Sequence, residues 1–177
     1  MRKVTFGGAS SLDNHFARKD HTVDWLMWSD EAASMMKDYW RTIDTIVMGR
    51  KTYEVALKMS SKGKSNPYPG IKSYVFSRTL PPGKKADFEI IKKDAAAFVR
   101  KLKGQKGKDI CVMGGGDFAK TLFEANLIDE IGFNIHPVLL GSGIPVFYEM
   151  KRQIDLELLS CKPFKNGCVQ VTYRVKH

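Results

Sequence analysis

Short apolar runs and helix-patterned stretches alternate along most of this 177-residue chain, and that alternation is what most constrains its fold. "KVTFGGAS" reads as a buried strand, and "TIVMG", "IKSYVFS", "FEIIK" and "KDICVMG" as further short strands. Between the first two lies "SDEAASMMKDYWRTI". It has Ser29 as a candidate N-cap, acids in the first turn, and Met35, Met36, Tyr39, Trp40 and Ile43 at helical spacing. "RKTYEVALK", "DAAAFVRKLKG" and "GDFAKTLFEANL" read as helices, the second closed by its glycine. "SKGKSNPYPG" is a loop by composition, and "RTLPPGKK" stops the strand before it. "IDEIGFNIHPVLL" is a long strand, and "IDLELLSCKPFKNGCVQVTYRV" reads as two strands around the turn signal "KNG". The pattern predicts an α/β fold: a mainly parallel sheet with helices on both faces, closed by a C-terminal antiparallel hairpin. In such sheets ligands bind beyond the carboxyl ends of the strands, so chemistry is expected just after "TFGG", "IVM", "YVF" and "CVM".

No repeat, low-complexity tract or linker divides the chain, which reads as a single domain, 1–177. No apolar run reaches the roughly 18 residues of a membrane span, and the apolar part of "MRKVTFGGASSLDN" is too short for a signal peptide. The three cysteines, Cys111, Cys161 and Cys168, are odd in number and lack metal-ligand spacing, so reduced thiols in a cytoplasmic protein are the simplest account. The formal net charge of +10 fits nucleic acid, an acidic membrane surface or a phosphate-bearing small molecule. The lysines are scattered, without a basic helix, an aromatic RNA motif or finger spacing, which disfavours nucleic acid.

Each strand end carries an unusual stretch. "MGRKTYE" places Gly49 at a strand end and Arg50, Lys51 and Thr52 at a helix start, where free backbone N–H groups and the helix dipole favour a phosphate. In "FSRTL", Ser77 and Arg78 offer a hydroxyl and a bidentate cation to a second phosphate. In "MGGGDFAK", Gly114, Gly115 and Gly116 remove every Cβ ahead of a helix starting near Asp117. Either a pyrophosphate approaches the main chain there, or strand and helix pack closely. The stretch is not G-x-G-x-x-G, so the common dinucleotide fingerprint is absent. The first strand ends in small residues, Gly7 to Ser11, with room for a flat ring, followed by a polar flap from Asp13 to Asp24.

In this order "SLDNHFA", "IVMGRKTYE", "SYVFSRTL", "VMGGGDFAKTLFEANLIDE" and "HPVLLGSGIPVF" resemble the dihydrofolate reductase-like superfamily. The similarity is greatest to the reductase domain of the bifunctional riboflavin-biosynthesis deaminase-reductase, and it covers Lys3 to Val175. It implies a three-layer fold around a mostly parallel sheet, with NADPH as cofactor. It also implies hydride transfer to a C=N bond of a pyrimidine- or pteridine-like substrate. By match, Gly49, Arg50, Lys51 and Thr52 hold cofactor phosphates, and Ser77 and Arg78 meet the adenosine 2′-phosphate. Gly114, Gly115, Gly116 and Asp117 lie at the pyrophosphate and ribose, and Ala9 and the flap with Asp13 and Ala17 lie near the nicotinamide. The resemblance also implies a cis Gly114–Gly115 peptide. It implies a homodimer too, for which "HPVLLGSGIPVF" offers much apolar surface in a loop-like stretch.

Two departures bear on the chemistry. Asn14 stands where the flap usually has glycine, and asparagine tolerates the left-handed conformation. Folate reduction needs a buried carboxylate on the first helix, and counting back from Met48 that place holds Ala33. Glu31 and Asp30 are the acids nearby, in a first turn where acids also serve the dipole, and Asp38 lies one to two turns further on; Glu31 and, in the flap, Asp13 are the catalytic candidates. The zinc signature of a fused deaminase is absent. The rival readings are a dihydrofolate reductase proper and a non-catalytic nucleotide- or nucleic-acid-binding protein.

Overall fold

The computed structural model describes residues 1–59, 70–85 and 88–177; the loop expected over 61–70 falls, except for Gly70, outside them. The elements follow in the order β1 (Val4–Ser11), β2 (His15–Ala17), α1 (Asp30–Thr42), β3 (Ile43–Gly49), α2 (Arg50–Met59), β4 (Lys72–Phe76), β5 (Lys84–Lys85) and β6 (Phe88–Ile91). They continue with α3 (Ala95–Lys103), β7 (Asp109–Met113), α4 (Gly116–Glu124), β8 (Glu130–His136), β9 (Ile144–Pro145), β10 (Leu156–Pro163) and β11 (Val169–Val175). One sheet has the order β10-β11-β8-β1-β7-β3-β4-β6-β5, and β2 pairs with β9 in a small second sheet. The strands from β8 to β6 are parallel, while β11, β10 and the two-residue β5 add antiparallel edges. The expected architecture is therefore present, with the hairpin as one edge. The pairs β2/β9 and β5, too short for a period, are additions the sequence pattern did not contain.

Local chemistry sets the helix ends as expected. Ser29 Oγ accepts the Ala32 N–H at 3.1 Å, and Asp94 caps α3 by accepting the Ala97 N–H at 2.6 Å. Helix α4 begins at Gly116, one residue before the expected start, with Gly115 at its N-cap. From β1 the chain steps over one place to β3 and outward to β4 and β6, then returns to fill the gap with β7 and passes to β8. With right-handed crossovers, outward steps put α1 and α2 on one face and return steps put α3 and α4 on the other. The cores agree. Tyr39, Trp40, Tyr53 and Leu57 pack with Ile46, Met48 and Val75 on one side. Val99, Leu102, Leu122 and Phe123 pack with Val4, Phe6 and Val112 on the other. Phe6, 1% exposed, meets Phe16, Phe123, Phe133 and Phe147 edge-on at centroid distances of 5.7–6.0 Å.

Segment 137–147 reaches the core at its far end and is exposed at Pro137, Leu139, Gly141 and Ser142. Val146 is 1% exposed and Phe147 joins the Phe6 cluster, leaving Leu139 outside at 70% exposure. Trp28 and Leu12 are exposed too, and a further open apolar surface lies on the sheet edge. All eight residues of the edge strand β10 are exposed, Leu156, Leu158 and Leu159 among them.

Candidate active site

The two ends of the sheet differ in charge pairing. At the amino ends of the strands Arg2 pairs with Asp44, Lys103 with Asp129 at 2.7 Å, and Lys3 with Glu130 at 2.7 Å. At the carboxyl ends Lys51 and Arg78 are exposed and make no ion pair among the described residues. Their neighbour Arg50 is committed in part, its Nη1 standing 2.7 Å from Glu54 Oε1 one turn on. A surface pair of this kind contributes about 0.3–0.5 kcal/mol, little enough for an incoming phosphate to displace.

Strands β3 and β7 are parallel neighbours, yet the chain leaves them for opposite faces, through α2 and α4. This is a topological switch point, where the two connections part and leave a crevice. The starts of the two helices meet over it. Phe118 of α4 lies over Gly49, where a Cβ would stand 3.4 Å from that of Phe118, and stacks on Phe76 at 5.2 Å. Thr52 of α2 lies against the glycine run.

That contact explains most of "GGG". Gly114 has φ +69°, and a Cβ there would stand 2.4 Å from Thr52 Cγ2 and 2.5 Å from Thr52 Oγ1. A Cβ on Gly116 would stand 2.2 Å from the carbonyl oxygen of Val146. Only real overlap forces glycine, so these two positions are required by the protein's own packing. Gly115, between them, would meet Thr52 Oγ1 at an ordinary 3.4 Å, so its face is the one left for a ligand. The expected cis peptide is not found: among the described residues every peptide bond is trans, Gly114–Gly115 included. The positive φ of Gly114 turns the chain without it.

Other expected site residues take more local roles. Ser77, 7% exposed, accepts the N–H groups of Thr79 (3.2 Å) and Leu80 (3.0 Å), so its hydroxyl shapes the turn that presents Arg78. Asp117 is exposed in the first turn of α4, where its charge suits the dipole. Ala9 is half-buried on β1, opposite Asn134 of β8. Ala17, 8% exposed, pairs with Ile144.

The two candidate acids are both occupied. Asp13 accepts from Ser11 Oγ (2.6 Å) and from the N–H groups of Leu140 (3.1 Å) and Gly141 (2.7 Å), with His15 Nδ1 3.4 Å away. The Ser11 hydroxyl first, then these amides and His15, hold the carboxyl well below its ordinary range. Asp13 thus clamps the 137–141 loop, a role that a carboxyl held low in its range suits better than giving up a proton near neutral pH. Glu31 Oε2 accepts the Lys165 N–H at 3.0 Å, tying α1 to the β10–β11 turn. Ala33 is exposed, and the buried residue of that turn is Ala32. Asn14, at φ +60°, makes the flap turn as expected, and its carbonyl accepts the Val146 N–H at 2.9 Å.

The sequence reading passed over a polar group at the end of β8. His136 is 2% exposed, with Asn134, Cys168, Trp25 and the Met27 N–H around it. The strand "EIGFNIH" alternates Glu130, Gly132, Asn134 and His136 on one face with apolar residues on the other, a pattern that reads as a solvent-facing side, so the burial of His136 was not legible.

The carboxyl-edge residues fit a dinucleotide phosphate chain. Two helix starts converge, a Cβ on Gly115 would make only an ordinary contact with Thr52, and Lys51 and Arg78 are exposed on the same strand edge. No helix among the described residues is long and apolar enough to cross a membrane.

Known proteins agree with this architecture. The Bacillus subtilis protein YwjB, itself uncharacterized, is 33% identical over 173 residues, covering 97% of each chain. YyaP of the same organism, also uncharacterized, is 32% identical over 182 residues, covering 98% of this chain and 95% of its own. A Shewanella sp. PV-4 structure, described as a candidate riboflavin biosynthesis protein, superposes with a TM-score of 0.83 at 23% identity over the whole of both chains. The Thermotoga maritima diaminohydroxyphosphoribosylaminopyrimidine deaminase/5-amino-6-(5-phosphoribosylamino)uracil reductase gives 0.72 at 14% identity, covering 99% of this chain and 57% of its own. Enterococcus faecalis dihydrofolate reductase, complexed with NADP(H) and RAB-propyl, gives 0.70 at 15% identity, covering 99% of this chain and 97% of its own. The fold is dihydrofolate reductase-like. The model of the RibD C-terminal domain matches residues 2–170, and the chain belongs to that family.

Proposed function

We propose that this protein is an NADPH-dependent reductase that transfers hydride to a C=N bond of a pyrimidine- or pteridine-like heterocycle. Its chemistry would be close to that of a 5-amino-6-(5-phosphoribosylamino)uracil reductase. The observation that carries the reading is the meeting of the α2 and α4 starts over the β3/β7 switch point, with exposed Lys51 and Arg78 beside it. Gly49, Lys51, Thr52 and the N–H groups opening both helices would hold the phosphates, with Arg50 released from Glu54. Arg78, presented by the Ser77 turn, would read the 2′-phosphate, and Ala9 would lie under the nicotinamide side. The bound cofactor supplies the hydride, so the chain's task is to hold two flat rings face to face and exclude water between them. The acceptor's nitrogen takes its proton from solvent in this reading, since Asp13 is ionised and Glu31 is engaged with Lys165.

The net charge of +10 suits an acceptor bearing phosphate. A folate reductase proper is disfavoured by the exposed Ala33. We further place the protein in the cytoplasm as a homodimer, with the exposed strand β10 as the contact between copies. The test is a titration with NADPH and NADH, followed by NADPH oxidation against pterins, folates, flavins and pyrimidine intermediates. Tight NADPH binding with turnover of a ring imine is expected. Failure to bind either nicotinamide would overturn the reading.

A further inference from the structure

The last rung of the β1–β8 ladder sets Ser11 against His136, and each ties down a different segment. Ser11 acts through Asp13 on the 137–141 loop. His136 acts on the chain entering α1: its Nδ1 accepts the Met27 N–H at 3.2 Å, and Trp25 stands edge-on to its ring at 5.2 Å. Asn166 Nδ2 donates to the Met27 carbonyl at 3.2 Å from the other side. Residues 25–28 thus form a strap across the end of β8. The strap runs directly into Ser29, the N-cap of α1, and presents Trp28 to solvent at 72% exposure.

We propose that His136 is a positioning residue whose neutral ring holds this strap, and with it the entry into α1, against the end of β8. An imidazole nitrogen can accept the Met27 N–H only while it lacks a proton, so the ring is neutral with its proton on Nε2. Nε2 faces the Asn134 amide at 3.4 Å, and on that tautomer the amide must present its oxygen. The groups against the ring are Asn134 from β8, Trp25 and the Met27 backbone from the strap, and Cys168 Sγ at 3.4 Å from the start of β11. Burial pushes the Cys168 thiol up, so it is uncharged at neutral pH. Asp13, the ionised group nearest in the ladder, is turned to Leu140 and Gly141. None of these contacts compensates an imidazolium, and burial accordingly holds His136 below 6.5. The sign follows: a depressed folded value leaves the strap held at neutral pH and releases it as pH falls from 6.5 through that lower value.

The experiment follows amide exchange in 25–28, corrected for intrinsic rate, from about pH 7.5 to about pH 5 in wild type, His136→Gln and His136→Ala. Glutamine keeps an acceptor and cannot titrate. The wild type should lose protection through one inflection below 6.5, and His136→Gln should stay protected and flat. His136→Ala should exchange about tenfold faster than wild type at about pH 7.5, the equivalent of one lost hydrogen bond, and should match it once the wild-type ring is protonated. An inflection that persists in His136→Gln, or equal protection in His136→Ala and wild type at about pH 7.5, overturns the lock.

Discussion

The packing account of the glycine run predicts a specific energetic coupling between Gly114 and Thr52. Gly114→Ala adds a Cβ 2.4 Å from Thr52 Cγ2 at a residue with φ +69°. The left-handed conformation costs a non-glycine residue roughly 1–2 kcal/mol. Overpacking against a well-fixed neighbour costs roughly 1–3 kcal/mol more, so the substitution should destabilise by roughly 2–5 kcal/mol. The two terms separate in a double-mutant cycle. Thr52→Ala removes Cγ2 and Oγ1 and leaves only the Thr52 Cβ, 3.0 Å from the new methyl. Thr52→Ala/Gly114→Ala should therefore recover most of the overpacking term and none of the backbone term, a coupling of about 1–3 kcal/mol. Urea unfolding of the four proteins measures it through the midpoints, provided m is unchanged. NADPH titration adds a functional arm. If packing alone forces glycine here, the double variant binds NADPH as Thr52→Ala does. Additivity within about 0.5 kcal/mol would refute the steric argument, and a further affinity loss in the double variant would return Gly114 to the cofactor site.

Arg78→Ala should weaken NADPH about ten- to a hundredfold, the loss of a charge-assisted bond worth roughly 1.5–3 kcal/mol, and leave NADH nearly unchanged; equal losses would mean that Arg78 does not read the 2′-phosphate. Asp13 is held below its ordinary 3.8, so its stabilisation is present above that value and fades as pH falls through the lower folded value; Asp13→Asn should flatten the acid limb of the urea midpoint, and an unchanged slope would refute the clamp. Leu158→Lys on the exposed strand β10 should convert a homodimer to a monomer in solution scattering at micromolar protein, and a wild type of monomer mass would dispose of the dimer.

The order of elements, the two helix caps and the parallel sheet with its antiparallel hairpin could all be read from the chain. Apolar period, Ser29, Asp94 and "KNG" act over a few residues, where sequence and geometry are directly linked. The strand ends that form the candidate site could be read for the same reason: topology puts them on one edge whatever the side chains do. What lay against them could not. Thr52 and Gly114 are 62 positions apart in sequence, and only packing of the two helix starts revealed that Thr52 fills the space the glycine leaves. Asp13 looked like a free acid in a polar flap until the 137–141 loop turned its amides onto it, 127 and 128 positions away. His136 gained a partner in Met27 at a separation of 109. The sequence determined the main helices and strands, the sheet's direction and the edge that carries the candidate site. The tertiary structure decided which glycines are steric, which acid is clamped by backbone amides and which histidine is buried. Close packing, desolvation and backbone hydrogen bonds between distant segments fix those properties, and none of the three is local in the chain.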